Sequence, residues 1–442
     1  MIRAFLVVCL VGVLALADTP MERGTAALDR GDYQEALKLF DRAMKLDSSK
    51  AAEAYKNRGN VFYFQRDYKN AMINYFKAIE IDKNYVIPYY NLGNVYSDMN
   101  DLENALKYYD LANKIDPKYT PPYINRAHMY DDIGEHEKAI VDYSRAIEID
   151  PNYWLPYNNR GRIYLSLKEY NKAAEDINKA VKLSPDLRVP YRSRGDLYYA
   201  LQEYNKAIVD YTKAINISPK YLATYCDRAR AYIELDKKEA ALKDFASALA
   251  IDPDYKCAYI LRSNFYMKLN DYQSAINDYT RLIEIDGSEA SADRYVYRGV
   301  AFANLNKHKE AIEDYKKALE LDDNASAWLY YSMGATYTKL NDYKTAISFY
   351  DKAIEQNASY TDAYSNRAFA YWTFDDFPRA ITDYDKTIEL DPNNVSAYTN
   401  RSGVYLQAGD KQKASIDAKK ACDLGDCKAL EYLKKRGAFI EP

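Results

Sequence analysis

The chain has 442 residues, 48% of them hydrophobic and 14% aromatic, a balance that excludes an intrinsically disordered polymer. Lys and Arg number 61 against 65 Asp and Glu, and this net charge of −4 gives no overall pull toward nucleic-acid phosphates or anionic lipid. Nucleic acid is therefore not expected as a partner.

The first seventeen residues stand apart. Met1-Ile2-Arg3 gives a positive start, Ala4 to Leu16 is apolar, and Ala15-Leu16-Ala17 forms an A-x-A cleavage pattern before Asp18. Residues 1–17 read as a secretory signal peptide, because the apolar run is shorter than the roughly 20 residues that span a bilayer. Cleavage removes Cys9 and leaves Cys226, Cys257, Cys422 and Cys427 in a compartment where disulfides persist. Cys422 and Cys427 lie five apart across a Gly-containing turn and are the better-placed pair. Cys226 and Cys257 fall on adjacent helices, whose spacing of about 8–10 Å often exceeds the reach of a disulfide of about 7 Å between Cα atoms.

From Pro20 to Leu424 one pattern of about 34 residues recurs, each copy reading as two amphipathic helices joined by a turn. In the copy that begins at Tyr157, Tyr157, Gly161 and Tyr164 mark one face of the first helix, and Ala173, Ile177 and Ala180 one face of the second. Pro88, Pro122, Pro156 and Pro190 fall at the start of first helices, where a missing N–H costs nothing. Asp116-Pro117, Asp150-Pro151, Asp252-Pro253 and Asp391-Pro392 close second helices, because proline disfavours helical geometry in the residue before it. The alanine that opens the second-helix core recurs twelve times, from Ala36 to Ala414. The expected organisation is a signal peptide over 1–17, an all-α solenoid of about twelve repeats over 18–424, and a capping helix and tail over 425–442. The turns at 286–291 and 322–327 depart from regular spacing by two residues and one, and read as tolerated surface loops, with a bent or looser stack around 286–327 as the alternative.

This combination of a large aromatic, Gly, Tyr, then Ala, an aromatic, Ala and Pro resembles the tetratricopeptide-repeat family. The resemblance covers nearly the whole chain after residue 17. It implies hairpins stacked in a right-handed superhelix, with the first helices lining a concave groove that holds a partner segment. The Leu that usually precedes the Gly is mostly Arg here, as at Arg126, Arg160, Arg194, Arg228, Arg262, Arg298, Arg367 and Arg401, which reads as a structural group pairing with a carboxylate of an adjacent helix.

Carried onto this sequence, the family's groove positions give a polar and aromatic first half that includes Lys56, Asn60 and Tyr90. The second half is apolar and includes Cys226, Ile260, Met267, Val296, Val300, Trp328, Tyr331, Phe369 and Trp372. Exposed apolar area on that scale marks a contact site. Asn91, Asn125 and Asn159 occupy one equivalent site with Asn57, similar to the asparagine ladder that grips a peptide backbone in the repeats of O-linked N-acetylglucosamine transferases, although Asn at this site also serves structure. A chaperone-tail clamp is excluded, because Pro121 and Asn125 stand where it needs Lys and Arg.

Chemistry-bearing motifs are absent from the sequence. With three His residues and no H-E-x-x-H, nucleophile elbow, phosphate-binding Gly loop or C-x-x-C, no catalytic residue, cofactor or metal is expected. The expected function is a non-enzymatic scaffold, exported to the bacterial periplasm or cell envelope, that binds an extended peptide or apolar segment of a protein. A polysaccharide carrier and a self-assembling homo-oligomer stay open as alternatives.

Overall fold

The structure, a computed structural model, describes residues 19–322 and 326–441, so the signal-peptide reading and Cys9 lie outside the described residues. Among these residues every regular element is helical: twenty-five α-helices and two 3₁₀ turns. The chain divides into two units at Pro219 and Lys220. Each contains six helix hairpins, and Lys428–Lys435 forms the terminal helix of the second. The first described helix, Pro20–Asp29, is shorter than its counterparts, which commonly run to 13 residues, as in Trp154–Ser166.

The core follows from the repeated small residues. All twelve alanines from Ala36 to Ala414 have no exposed surface, which lets the paired helices approach closely. Sixteen residues after most first-helix glycines an aromatic of the second helix lies across the glycine; Ile177 takes that place over Gly161, and Trp372 covers Gly403. A Cβ on Gly93 would stand 2.5 Å from the Tyr109 ring and one on Gly334 would stand 2.6 Å from Tyr350, so these rings pack where only hydrogen leaves room.

Every hairpin turn places one residue in the left-handed region, from Gly31 and Arg66 through Asn306 and Asn341 to Gly409. That residue reverses the chain in two bonds. In the second hairpin Arg66 N donates to Tyr63 O and Asp67 N to Phe62 O, both at 2.9 Å, occupying carbonyls that the ending helix would leave open. The Asp-Pro closures act through the side chain as well, because Asp116, Asp150, Asp252 and Asp391 each accept the backbone N–H two residues on.

The arginine that replaces the usual leucine is a stitch. Arg126, Arg160, Arg194, Arg228, Arg262, Arg298, Arg367 and Arg401 each grip an Asp sixteen residues later through both Nε and Nη2 at 2.7–2.8 Å. In several repeats Nη1 also reaches the preceding hairpin, as from Arg126 to Asp110 at 3.2 Å and from Arg160 to Ser144 at 2.7 Å. Flanking rings sandwich the guanidinium, with Tyr259 at 5.5 Å and Tyr266 at 5.9 Å from that of Arg262. Burial pushes the carboxyls of Asp278, Asp383 and Asp417 above the ordinary Asp value while their arginines pull the other way. Pairing and desolvation therefore oppose one another, and the stitch fixes geometry more than it adds stability.

Two hairpins omit the charges together. Leu92 and Tyr108 stand in for the pair in one, with Tyr108 stacked on Tyr96 at 5.3 Å, and Met333 and Phe349 in another, with Phe349 stacked on Tyr337 at 5.5 Å.

The irregular turn at 286–291 is anchored. Helix Tyr272–Asp286 runs one residue further than its neighbours, Gly287 takes φ +56°, and the Asp286 carboxylate meets Lys256 at 2.5 Å and Arg294 at 3.6 Å. Ala290 is buried beneath it.

Candidate binding surface

In the first unit, the exposed edge of the first helices carries a hydrogen-bonded mesh. Asn60 Oδ1 accepts from Tyr75 Oη and from Asn91 Nδ2, both at 2.9 Å. One hairpin further on, Asn94 Oδ1 accepts from Tyr109 Oη at 2.7 Å and Asn125 Nδ2 at 2.8 Å, and Asn125 Nδ2 also reaches Tyr90 Oη at 3.2 Å. Asn159 Nδ2 donates to Tyr143 Oη at 3.4 Å. The asparagines thus spend donors tying one hairpin to the next, which is the structural use of that site rather than an open ladder. Lys56 is half-buried with Nζ 2.5 Å from Asn57 Oδ1, and burial lowers its ammonium below the ordinary Lys value.

Beside this mesh lies an open cavity of about 350 Å³ bounded by Tyr63, Asn94, Asp98, Asn125, His128 and Asp132. Its wall is acidic and already engaged in part: His128 Nδ1 is 3.0 Å from Asp132, and burial together with a hydrogen bond to Asp98 pushes the Tyr63 phenol well above its usual value.

The second unit presents a different face. Helices Ala292–Asn304 and Ala327–Lys339 border an open cavity of about 370 Å³ lined by Val300, Ala303, Tyr331, Ala335, Trp328 and polar groups that include Asn304, His308 and Lys339. Among the described residues no carboxylate lines it. Trp328 is 40% exposed and leans on Tyr297, itself 41% exposed, with centroids 5.9 Å apart. Tyr331 packs on Tyr360 at 5.0 Å and accepts from Asn366 at 3.1 Å. His308 Nδ1 is buried in the wall with no hydrogen-bond partner among the described residues. Further along, Phe369, Trp372 and Gln407 line a smaller opening, and Trp372 Nε1 donates to Gln407 at 2.7 Å while its ring covers Gly403.

Two expected groove residues are not on this surface. Cys226 is 2% exposed and Val296 is 6% exposed, each within a hydrophobic core cluster. Both are the fifth residue of their first helix and turn into the adjoining helices, whereas Tyr331, the fifth residue of its own, lines the cavity. Ile260 and Met267 are partly buried against the cluster around Tyr279, so they offer edges rather than faces. Asn304, His308 and Lys339 were not expected. Each sits at or beyond the end of a first helix, past the positions that the family pattern assigns to the groove. Cys422 and Cys427 are joined in a disulfide, with Cα atoms 4.0 Å apart, between helix Lys411–Asp423 and the terminal helix.

Stacked hairpins with an open first-helix edge define a helical-repeat scaffold for protein–protein interaction. Tetratricopeptide-repeat patterns match residues 21–85, 88–119, 122–153, 155–187, 222–255, 258–289, 292–324, 327–360, 361–394 and 383–414, and a TPR-repeat pattern matches 195–236. The chain belongs to the tetratricopeptide-repeat family. No curated protein matches it. Among solved structures it is similar to the APC/C hetero-tetramer Cut9-Hcn1, at 14% identity over 96% of this chain and 97% of that one with a TM-score of 0.42. It is also similar to a tetratricopeptide repeat protein from Parabacteroides merdae, at 20% identity over 65% of this chain and 99% of that one with a TM-score of 0.42. A third is YrrB, described as a TPR protein with an unusual peptide-binding site, at 22% identity over 42% of this chain and 97% of that one with a TM-score of 0.36.

Proposed function

We propose that the protein is a non-enzymatic scaffold of the bacterial envelope that holds an extended segment of a partner protein, with an apolar or aromatic side chain of that segment seated against Trp328. The observation that carries this reading is the exposed indole beside an open cavity of about 370 Å³ walled by Val300, Ala303, Tyr331 and Ala335. Large exposed rings at a concave, partly apolar site are the usual anchors of protein contacts. Lys339, on a wall with no carboxylate among the described residues, favours a segment with an acidic group close to its anchoring side chain. The signal-peptide pattern of residues 1–17 and the Cys422–Cys427 disulfide support an exported location.

The test is capture from native envelope extracts by the mature chain and by Ala335→Asp and Trp328→Ser variants. Glu313→Lys, on an exposed position of helix His308–Leu321, serves as the control. Both cavity variants are expected to lose the partner by about tenfold or more while keeping full helicity by circular dichroism. Undiminished capture by Ala335→Asp would sink the reading. Val296→Asp is unsuited to this purpose, because it places a charge in the core.

A further inference from the structure

The cavity of about 350 Å³ in the first unit and the one beside Trp328 occupy the same place in the repeat and carry opposite charge. Helices Ala292–Asn304 and Ala327–Lys339 end on Asn304 and Lys339 at the Trp328 cavity, whereas helices Val86–Asp98 and Thr120–Asp132 end on Asp98 and Asp132 at the earlier one. Tyr315 and Tyr109, each sixteen residues after the glycine it covers, line the two cavities alike. The negative end of the helix dipole lies at these termini, so a lysine offsets it and a carboxylate adds to it. Two successive helices thus break a stabilising rule at one cavity, both with the same charge.

The neutral groups of the first-unit cavity are already bonded to one another. Asn94 Oδ1 takes both the Tyr109 hydroxyl and Asn125 Nδ2, which leaves the exposed carboxylates as the acceptors open to a ligand. Among the described residues no lysine or arginine lines this cavity, and the sole ion-pair partner of the two carboxylates is His128, 3.0 Å from Asp132. The Tyr63 ring lines it together with Asp98, and the Phe64 and Tyr68 rings stand 5.9 and 6.2 Å from that of Tyr63, turned by 62° and 50°. Ring faces set at an angle beside a carboxylate attract a cation twice over, through the ring quadrupole and through the full charge.

We propose that this cavity seats an arginine side chain of a partner protein, on a segment that carries an apolar side chain next to it. A guanidinium presents its N–H donors in one plane, so its edge can bond a carboxylate while its face rests on a ring. The occupant is a chain and not a free small cation, because the cavity continues on either side. Tyr63 and Asn94 are shared with a recess of about 190 Å³, and Tyr63 and Asp98 with another of about 330 Å³ that Phe64, 60% exposed, also lines. Arg66 lines that outer recess, which turns a second cation away and suits it to the apolar side chain. Opposite charge also separates the ligands of the two cavities, since Lys339 repels the group that Asp98 and Asp132 attract. The site is built from the first unit alone and does not rest on the reading of Trp328.

The test is fluorescence anisotropy of the full-length mature chain with a labelled alanine–glycine peptide that carries Phe and, two residues on, Arg. A reference peptide has citrulline, the neutral isostere, in place of the arginine. The arginine peptide is expected to bind about tenfold more tightly than the citrulline peptide at low salt, and the margin should shrink as salt rises. Asp98→Asn and Asp132→Asn, at exposed positions, should each reduce the margin by about threefold. The double variant should abolish it with helicity unchanged by circular dichroism, and Trp328→Ser should leave it intact. Equal binding of the two peptides, or binding of neither at millimolar concentration, overturns the proposal. An arginine preference that survives the double variant, or that is lost in Trp328→Ser, places the cation elsewhere and overturns it too. Spermidine bound as tightly as the arginine peptide overturns the choice of a protein segment as occupant.

Discussion

The first-helix edges of residues 51–132 and of residues 292–339 are built on the same hairpin and use it in opposite ways. In the earlier region the polar side chains are turned on one another: Asn91 binds Asn60, Asn125 binds Asn94, and tyrosine hydroxyls complete the mesh. Its cavity is bounded by the carboxylates of Asp98 and Asp132. In the later region the site of Asn125 is taken by Ser332, whose hydroxyl bonds only back to Trp328 O at 2.8 Å, and the neighbouring rings are left open. The difference teaches that the repeat fixes which positions reach the edge, while one or two side chains decide whether the edge closes on itself or stays open. Beneath both edges the frame is common.

The largest expected effect breaks that common frame. Arg126→Leu in the earlier region and Arg298→Leu in the later one each strand a buried Asp, and each is expected to cost about 3–5 kcal/mol, read from urea unfolding midpoints. Adding Asp142→Tyr to the first and Asp314→Tyr to the second recreates the Leu92–Tyr108 arrangement, with Tyr130 and Phe302 placed to stack on the new rings as Tyr96 does on Tyr108. The double variants should return to within about 1 kcal/mol of the parent, since an apolar pair of similar volume replaces a buried ion pair at little cost. Rescue in one region and not in the other would show that the frames differ.

A smaller effect separates the edges themselves. Asn125→Ala removes the donor to Asn94 and Tyr90 and should cost about 1–2 kcal/mol. Ser332→Ala removes only a bond within its own helix and should stay within about 0.5 kcal/mol. Local hydrogen exchange in helices Thr120–Asp132 and Ala327–Lys339 reads each change where it occurs. Equal losses would mean that the asparagine mesh carries no cohesion of its own.

Much of this was legible in the sequence for a physical reason. The period of Ala, Gly and aromatic residues is the packing of one helix on another, so the twelve alanines located the hairpins and all twelve are fully buried. The Arg could be seen, but its partner could not. An Asp sixteen residues on looks like any exposed acid until a second helix folds back over it. The fifth position misled for the converse reason. Trp328, at the second position, and Tyr331, at the fifth, line the cavity, whereas Cys226 and Val296, also at the fifth, turn into the adjoining helices. Position along a helix gives a direction, and the neighbouring hairpin decides whether that direction is open. The cavity groups Asn304, His308 and Lys339 escaped because they lie at or beyond helix ends, where the repeat pattern assigns no groove role.

The smallest prediction returns to the turns. Arg66 holds φ +59° in the earlier region and Asn306 holds φ +58° in the later one, each closing the same pair of backbone bonds. For an Arg the left-handed region costs roughly 1–2 kcal/mol of contact between Cβ and the following carbonyl, whereas Asn relieves part of that cost through its short polar side chain. Glycine removes the contact but adds freedom to the unfolded chain, at about 0.5–1 kcal/mol. Arg66→Gly should therefore stabilise by about 0.5 kcal/mol, and Asn306→Gly should change stability by about zero or slightly lower it. Thermal midpoints of the two variants test the sign. If Asn306→Gly gains as much as Arg66→Gly, the asparagine offers its turn nothing that arginine does not, and the two regions spend their polar residues differently at the edge alone.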